Sequence, residues 1–144
     1  MAKDNYLAIY YHLVFSTKNR AHLLKKVIKD ALCSYIVGCS DPSNVIVIRV
    51  NGMSDHIHLL IGVNTGDFNL STYVRELKKS TNKFLNFQKG LYGDFAWQNG
   101  YFACTVSAKD VEGVKQYIAQ QELHHTTMSL DNELSLIIER TSNA

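Results

Sequence analysis

One proline, three cysteines and an almost even charge balance leave few obvious handles on this 144-residue chain, and each shortage excludes something. Cys33, Cys39 and Cys104 are odd in number and form no Cys-x-x-Cys, which fits reduced buried thiols and argues against a disulfide framework, a zinc cage or redox chemistry. Long apolar runs are missing too. Stretches such as Val45 to Ile48 are interrupted within a few residues, far short of the roughly 20 that span a bilayer, so no membrane segment is expected. Met1-Ala2-Lys3-Asp4-Asn5 carries a charge pair where a secretory signal places its apolar stretch, and the expected location is the cytoplasm. Fifteen Lys plus Arg against 13 Asp plus Glu give a net charge of only +2, which neither demands nor forbids a nucleic-acid partner. With Pro42 as the one proline and eight glycines, the chain is spent mostly in regular elements, without repeats, low-complexity tracts or linkers. Its length suits one domain, residues 1–144, with a core of about 6–126 and a C-terminal extension at 127–144.

What is present is periodicity. Leu7 to Ser16 alternates, with Ile9, Tyr11, Leu13 and Phe15 on one face and Tyr10, His12, Val14 and Ser16 on the other, which reads as a strand. Ala21 to Val37 has apolar positions at helical spacing and stops at Gly38. Val45 to Val50 and His56 to Val63 read as two antiparallel strands joined through a hairpin turn at Asn51-Gly52. Leu70, Tyr73, Val74, Leu77, Thr81 and Phe84 mark a second amphipathic helix capped near Asn69. Tyr101 to Ser107 makes a fourth strand, and Ser107-x-x-Asp110 resembles a capping box opening a third helix. The order predicts an α+β, ferredoxin-like fold: a four-stranded antiparallel sheet, helices on one face, and an appended C-terminal helix carrying Tyr117. Leu130, Leu134, Ile137 and Ile138 suggest one or two further helical turns.

His56-Ile57-His58 is the most informative tripeptide. Positions i and i+2 of a strand share a face, so both imidazoles project together while Ile57, Leu59 and Ile61 enter the core layer. Two imidazoles so placed can grip one divalent ion, on a sheet face left open to substrate if the helices cover the other. The pattern alone also describes two polar residues on a solvated strand face. His12, on the neighbouring strand, reads as a supporting partner of that pair. In the third helix Tyr117 and Gln121 stand one turn apart, where the amide oxygen can join the metal's ligands and the phenol can attack an electrophile. Gly113, one turn earlier, leaves room for a ligand backbone, and His124 and His125 extend the polar face or fray the helix end.

Four stretches in this order identify a family: Tyr11-His12-Leu13-Val14-Phe15-Ser16-Thr17-Lys18, Ser54-Asp55-His56-Ile57-His58-Leu59-Leu60, Trp97-Gln98-Asn99-Gly100-Tyr101-Phe102 and Tyr117-Ile118-Ala119-Gln120-Gln121. Together they closely resemble the single-tyrosine transposases of the smallest bacterial insertion sequences, the IS-two-hundred-like branch of the HUH endonuclease superfamily, from about Tyr6 to His125. The resemblance implies a DNA transposase acting on single strands folded into hairpins, in bacteria or archaea, associated with the nucleoid when bound to DNA. It implies His56, His58 and Gln121 as ligands of Mg2+ or Mn2+, and Tyr117 as a nucleophile that displaces a 3′ oxygen and leaves a 5′-phosphotyrosine link. Two imidazoles are unusual for magnesium, so zinc or nickel can bind without supporting turnover. The resemblance also implies a homodimer with composite active sites, the tyrosine helix docking in cis or in trans. Ser54, where many relatives have proline, is a small departure in a turn.

For the nucleic acid itself, Arg75, Lys78, Lys79, Asn82 and Asn86, flanked by Lys83, fall opposite the second helix's apolar stripe and form a basic ridge able to track phosphates or simply to be solvated. Lys18 and Arg20 are further candidates, and Phe87, Tyr92, Phe95 and Trp97 are positioned either to stack unpaired bases or to pack their loop onto the sheet. Two rival classes are a non-catalytic or domesticated single-stranded nucleic-acid-binding protein of this fold, which needs no Tyr117, and a phosphohydrolase that activates water. Hydrolases with a His-x-His-x-His run are excluded by Leu60.

Overall fold

A computed structural model describes residues 6–39, 45–91, 93–121 and 129–142, with side chains of the last helix described through residue 138. Pro42, Tyr92, His124 and His125 lie outside these residues. The elements are β1 (Ile9–Ser16), α1 (Lys26–Gly38), β2 (Val45–Met53), β3 (His56–Val63), α2 (Leu70–Lys83), β4 (Phe102–Val106), α3 (Val111–Ala119) and α4 (Leu130–Ser142). The four strands form one antiparallel sheet in the order β2-β3-β1-β4, the ferredoxin-like arrangement.

The alternation in β1 and β3 sets the layers. Phe15 pairs with Ile57 and Leu13 with Leu59, and these side chains join Leu32 and Ile36 of α1 and Val74 and Leu77 of α2 in the main core. Burying such side chains contributes about 1.5–3 kcal/mol each, enough to fix which way the sheet faces. Asn69 caps α2 as expected, its side chain accepting from Thr72 N at 3.0 Å.

Two local expectations give way, at the start of α1 and at the start of α3, while the helix stop at Gly38 holds. The chain from Ala21 is extended and becomes helical only at Lys26, because Leu24 N bonds the Ser54 carbonyl at 2.9 Å instead of a preceding turn. The helix ends at Gly38 without a left-handed glycine. Ala108–Asp110 forms a short 3-10 turn leading into α3, and neither the Ser107 nor the Asp110 side chain caps a helix start.

The hairpin differs most. Asn51 and Gly52 lie inside β2, and the two-residue turn is Ser54-Asp55, with Met53 opposite His56. The register slips between Val47, opposite Ile61, and Arg49, opposite Leu60, so Ile48 is an extra residue and the strand changes face there. Beyond the bulge Asn51 stands opposite His58 instead of facing the main core. Gly52 meets β3 so closely that a Cβ would lie 2.2 Å from the His56 carbonyl oxygen. Glycine is therefore required by contact, not by turn geometry.

The second face of the sheet is covered as well. α3 packs on β2 and β3, burying Ile118, and α4 buries Leu130 and Glu133. This explains why residues 12–15 and 56–61 are buried at every position and not at alternate ones.

Candidate metal and tyrosine centre

His56 and His58 project from β3 onto the face covered by α3 and α4. They are 1% and 0% exposed, so the expectation of an open sheet face is corrected: the pair sits in a closed interior. His56 Nδ1 donates to Asp55 Oδ1 at 2.8 Å, and this hydrogen bond is the main reason the Asp55 carboxyl is held below its usual range. With that proton committed, His56 Nε2 points inward and meets Gln121 Oε1 at 3.3 Å. His58 Nδ1 shares a hydrogen bond with His12 Nε2 at 2.8 Å, and His58 Nε2 meets Glu133 Oε1 at 2.9 Å. Burial, then the nearby His58 and against the pull of Glu133, lowers the His12 pKa to about 3, so His12 is neutral near pH 7 and can steady the neighbouring ring.

Tyr117 comes from α3, and its hydroxyl donates to Glu133 Oε2. Its ring stands edge-on to His12 and His58, with centroids 6.3 and 6.0 Å away. Gln121 lies just beyond the helix, which ends at a non-helical Gln120, so the pair does not share one regular helix as expected. Both side chains nevertheless converge, Gln121 Nε2 donating to Glu133 Oε2 at 3.2 Å.

Asn51 anchors this arrangement. Its Nδ2 donates to the carbonyls of Ile118 and Ala119 at 3.1 and 3.2 Å, the last turn of α3, while its Oδ1 accepts from the buried Lys29 Nζ at 3.1 Å. A side chain expected in a turn thus holds the C-terminal end of the tyrosine helix on the sheet.

The donor set suits a divalent cation. His56 Nε2 and Gln121 Oε1 are both acceptors once His56 Nδ1 donates to Asp55, and a ring proton or a metal ion between them would satisfy both. Each inward Nε2 has its ring's other nitrogen in a hydrogen bond, the usual support of metal-ligating histidines. Sequence reasoning missed Glu133 altogether. Its signal is a carboxylate inside the apolar stripe of Leu130, Leu134 and Ile137.

Beside Tyr117, His12, Cys104, Gly113, Val114 and Ile137 help line an open cleft of about 640 Å3. Open space surrounds Gly113, where an added Cβ would meet nothing within 4 Å.

The surface candidates divide. Arg75, Lys79 and Lys83 are exposed along α2, as is Lys18 after β1. Lys78 instead lies over the Phe15 ring, donates to the Gln98 and Gly100 carbonyls and has its pKa lowered by burial. Asn86 is buried, accepting from Gly93 N and Phe95 N, so it organises a loop and does not extend the ridge. Arg20 pairs with Asp131 of α4 at 2.8 Å. Phe95 and Trp97 belong to the core, Trp97 donating to Thr81 Oγ1 at 2.9 Å, whereas Phe87 is 79% exposed. Cys33 and Cys104 are half-buried and Cys39 is exposed, all three as free thiols.

Comparison with known proteins places the chain in a family. Residues 5–121 match the family described as transposase, IS200 like. The ISDra2 transposase TnpA of Deinococcus radiodurans is 26% identical over 116 residues, covering 77% of this chain and 82% of that protein. A crystal structure of a candidate transposase from Deinococcus radiodurans superposes with a TM-score of 0.58 at 24% identity, over 84% of this chain and 96% of that one. The structure of a REP-associated tyrosine transposase bound to a REP hairpin gives 0.59 at 18% identity, over 87% and 74% respectively. With a family match over most of its length and the same fold as these structures, the chain belongs to the IS200-like transposases.

Proposed function

We propose that this chain, as a single domain, cuts and rejoins single-stranded DNA at the ends of an insertion sequence, using Tyr117 as nucleophile beside a divalent cation. The observation that carries the reading is the convergence of Tyr117, Gln121, His56 and His58 in one interior, inside one chain. His56, His58 and Gln121 would hold Mg2+ or Mn2+, which supplies charge neutralisation at a phosphate oxygen. The chain's own part is positional. Tyr117 Oη gives up its proton and forms a bond to phosphorus as the bond to the 3′ oxygen breaks; that oxygen takes up a proton and leaves as a free 3′-hydroxyl, so one proton is released and one is taken up. The 5′-phosphotyrosine keeps the diester, so another 3′-hydroxyl can reverse the exchange without ATP.

Hairpin DNA is the substrate we infer, supported by the family and by the hairpin-bound neighbour. Arg75, Lys79, Lys83 and Lys18 are the exposed cations available to track phosphates. A homodimer with composite active sites rests on the sequence resemblance, the tyrosine helix docking in cis or in trans; within the single chain the Tyr117 ring stands edge-on to His58. Cytoplasmic placement is supported by the family's action on DNA, and among the described residues no helix is long and apolar enough to cross a membrane.

End-labelling tests the reading. With manganese and a hairpin oligonucleotide, a 3′ label should become protein-linked on a denaturing gel, and a 5′ label should appear on a free fragment ending in a 3′-hydroxyl. Cleavage without any protein-linked strand would mean that water attacks, and binding without cleavage would favour a non-catalytic protein.

A further inference from the structure

We infer that Glu133, carried by α4, is a fourth protein ligand of the divalent cation and holds the Tyr117 hydroxyl against the same centre. The inference rests on the metal-centre reading above and adds a residue outside the tyrosine motif.

Geometry comes first. Ligand atoms about 2.1 Å from one ion in neighbouring positions lie about 3.0–3.4 Å from each other. Glu133 Oε1 is 2.9 Å from His58 Nε2 and 3.9 Å from His56 Nε2, and one donor atom from each of the three residues lies within 4.8 Å of the others. The second oxygen, Oε2, accepts from Gln121 Nε2 and from Tyr117 Oη. That contact turns the Gln121 amide so that its oxygen faces His56. One carboxylate therefore touches the imidazole of His58, orients a second ligand and fixes the nucleophile.

Charge points the same way. Glu133 is 1% exposed, one turn from the buried Leu130 on the same helix face. Burying a carboxylate costs far more than it returns unless a positive charge answers it. The groups described around it are imidazoles, an amide and a phenol. A divalent cation held between Glu133 Oε1 and the two inward imidazole nitrogens would answer that charge. Without Glu133 the set is two imidazoles and one amide, poor for a hard ion; an anionic oxygen makes it suitable for Mg2+ or Mn2+. α4 is anchored for the task by buried Leu130 and by the Arg20–Asp131 ion pair.

The test measures binding, not turnover: Mn2+ titrated into the full chain and followed by electron paramagnetic resonance, for wild type, Glu133→Gln, Glu133→Ala and His56→Ala. Both Glu133 variants should bind Mn2+ at least tenfold more weakly, with a smaller loss for Zn2+, while circular dichroism confirms the fold. Glu133→Gln keeps the size of the side chain, so its loss reports charge and not packing. Glu133 variants that bind Mn2+ as tightly as wild type would overturn the inference, even if they form DNA adducts faster, because the carboxylate would then only fill the place of the phosphate. Unchanged binding by His56→Ala, or no Mn2+ uptake by wild type, would instead overturn the metal-centre reading itself.

Discussion

Tyr117→Phe should form no covalent adduct with hairpin DNA, with strand cleavage falling by about 10³-fold or more in a timed gel assay. That is about 4 kcal/mol or more of transition-state stabilisation, since each tenfold is about 1.4 kcal/mol. The variant keeps the ring, which stands edge-on to His12 and His58, and loses the hydrogen bond from Oη to Glu133. A single hydrogen bond of this kind contributes about 0.5–3 kcal/mol, so the melting temperature should fall by about 10 °C at most. A large loss of chemistry with a small loss of stability separates a nucleophile from a packing residue. Adduct formation by Tyr117→Phe at the wild-type rate would assign the nucleophile elsewhere.

His56→Ala is expected to have the second largest effect, lowering adduct formation by about 10²-fold or more, as loss of a metal ligand does. The side chain bridges Asp55 and Gln121, so its removal also leaves Asp55 without its ring partner. The structural cost should stay near 1–3 kcal/mol. Raising Mn2+ should recover part of the rate if the histidine holds the cation. Cleavage by His56→Ala at wild-type rate without added metal contradicts the assignment.

The layers of this fold were legible because they depend on local pattern. The parity of Leu13, Phe15, Ile57, Leu59 and Ile61 named the main core face, and the same parity put His56 and His58 together on the other. Four ordered motifs, through the family they resemble, link that pair to Tyr117 and Gln121.

What the sequence hid was long-range. Asn51-Gly52 carries the usual hairpin signature, yet the bulge at Ile48 moves the turn to Ser54-Asp55 and frees Asn51 to hold the end of α3. No local rule anticipates a bulge whose use is a contact 67 residues away. Phe95 and Trp97 look like stacking residues in a glycine-containing loop, but Asn86 pins that loop so that both rings join the core. The second sheet face is closed by α3 together with α4, whose apolar positions suggested only one or two turns and whose helix runs for 13 residues. Glu133 was visible only as a charge in an apolar stripe, and its meaning depended on seeing where that stripe docks.

The most direct measurement is mass spectrometry of the covalent product after nuclease and protease digestion. If the account is right, one peptide, the one containing Tyr117, carries the residual 5′-nucleotide, and the adduct requires manganese or magnesium. A nucleotide found on any other tyrosine, or an adduct formed equally well in excess chelator, would contradict it.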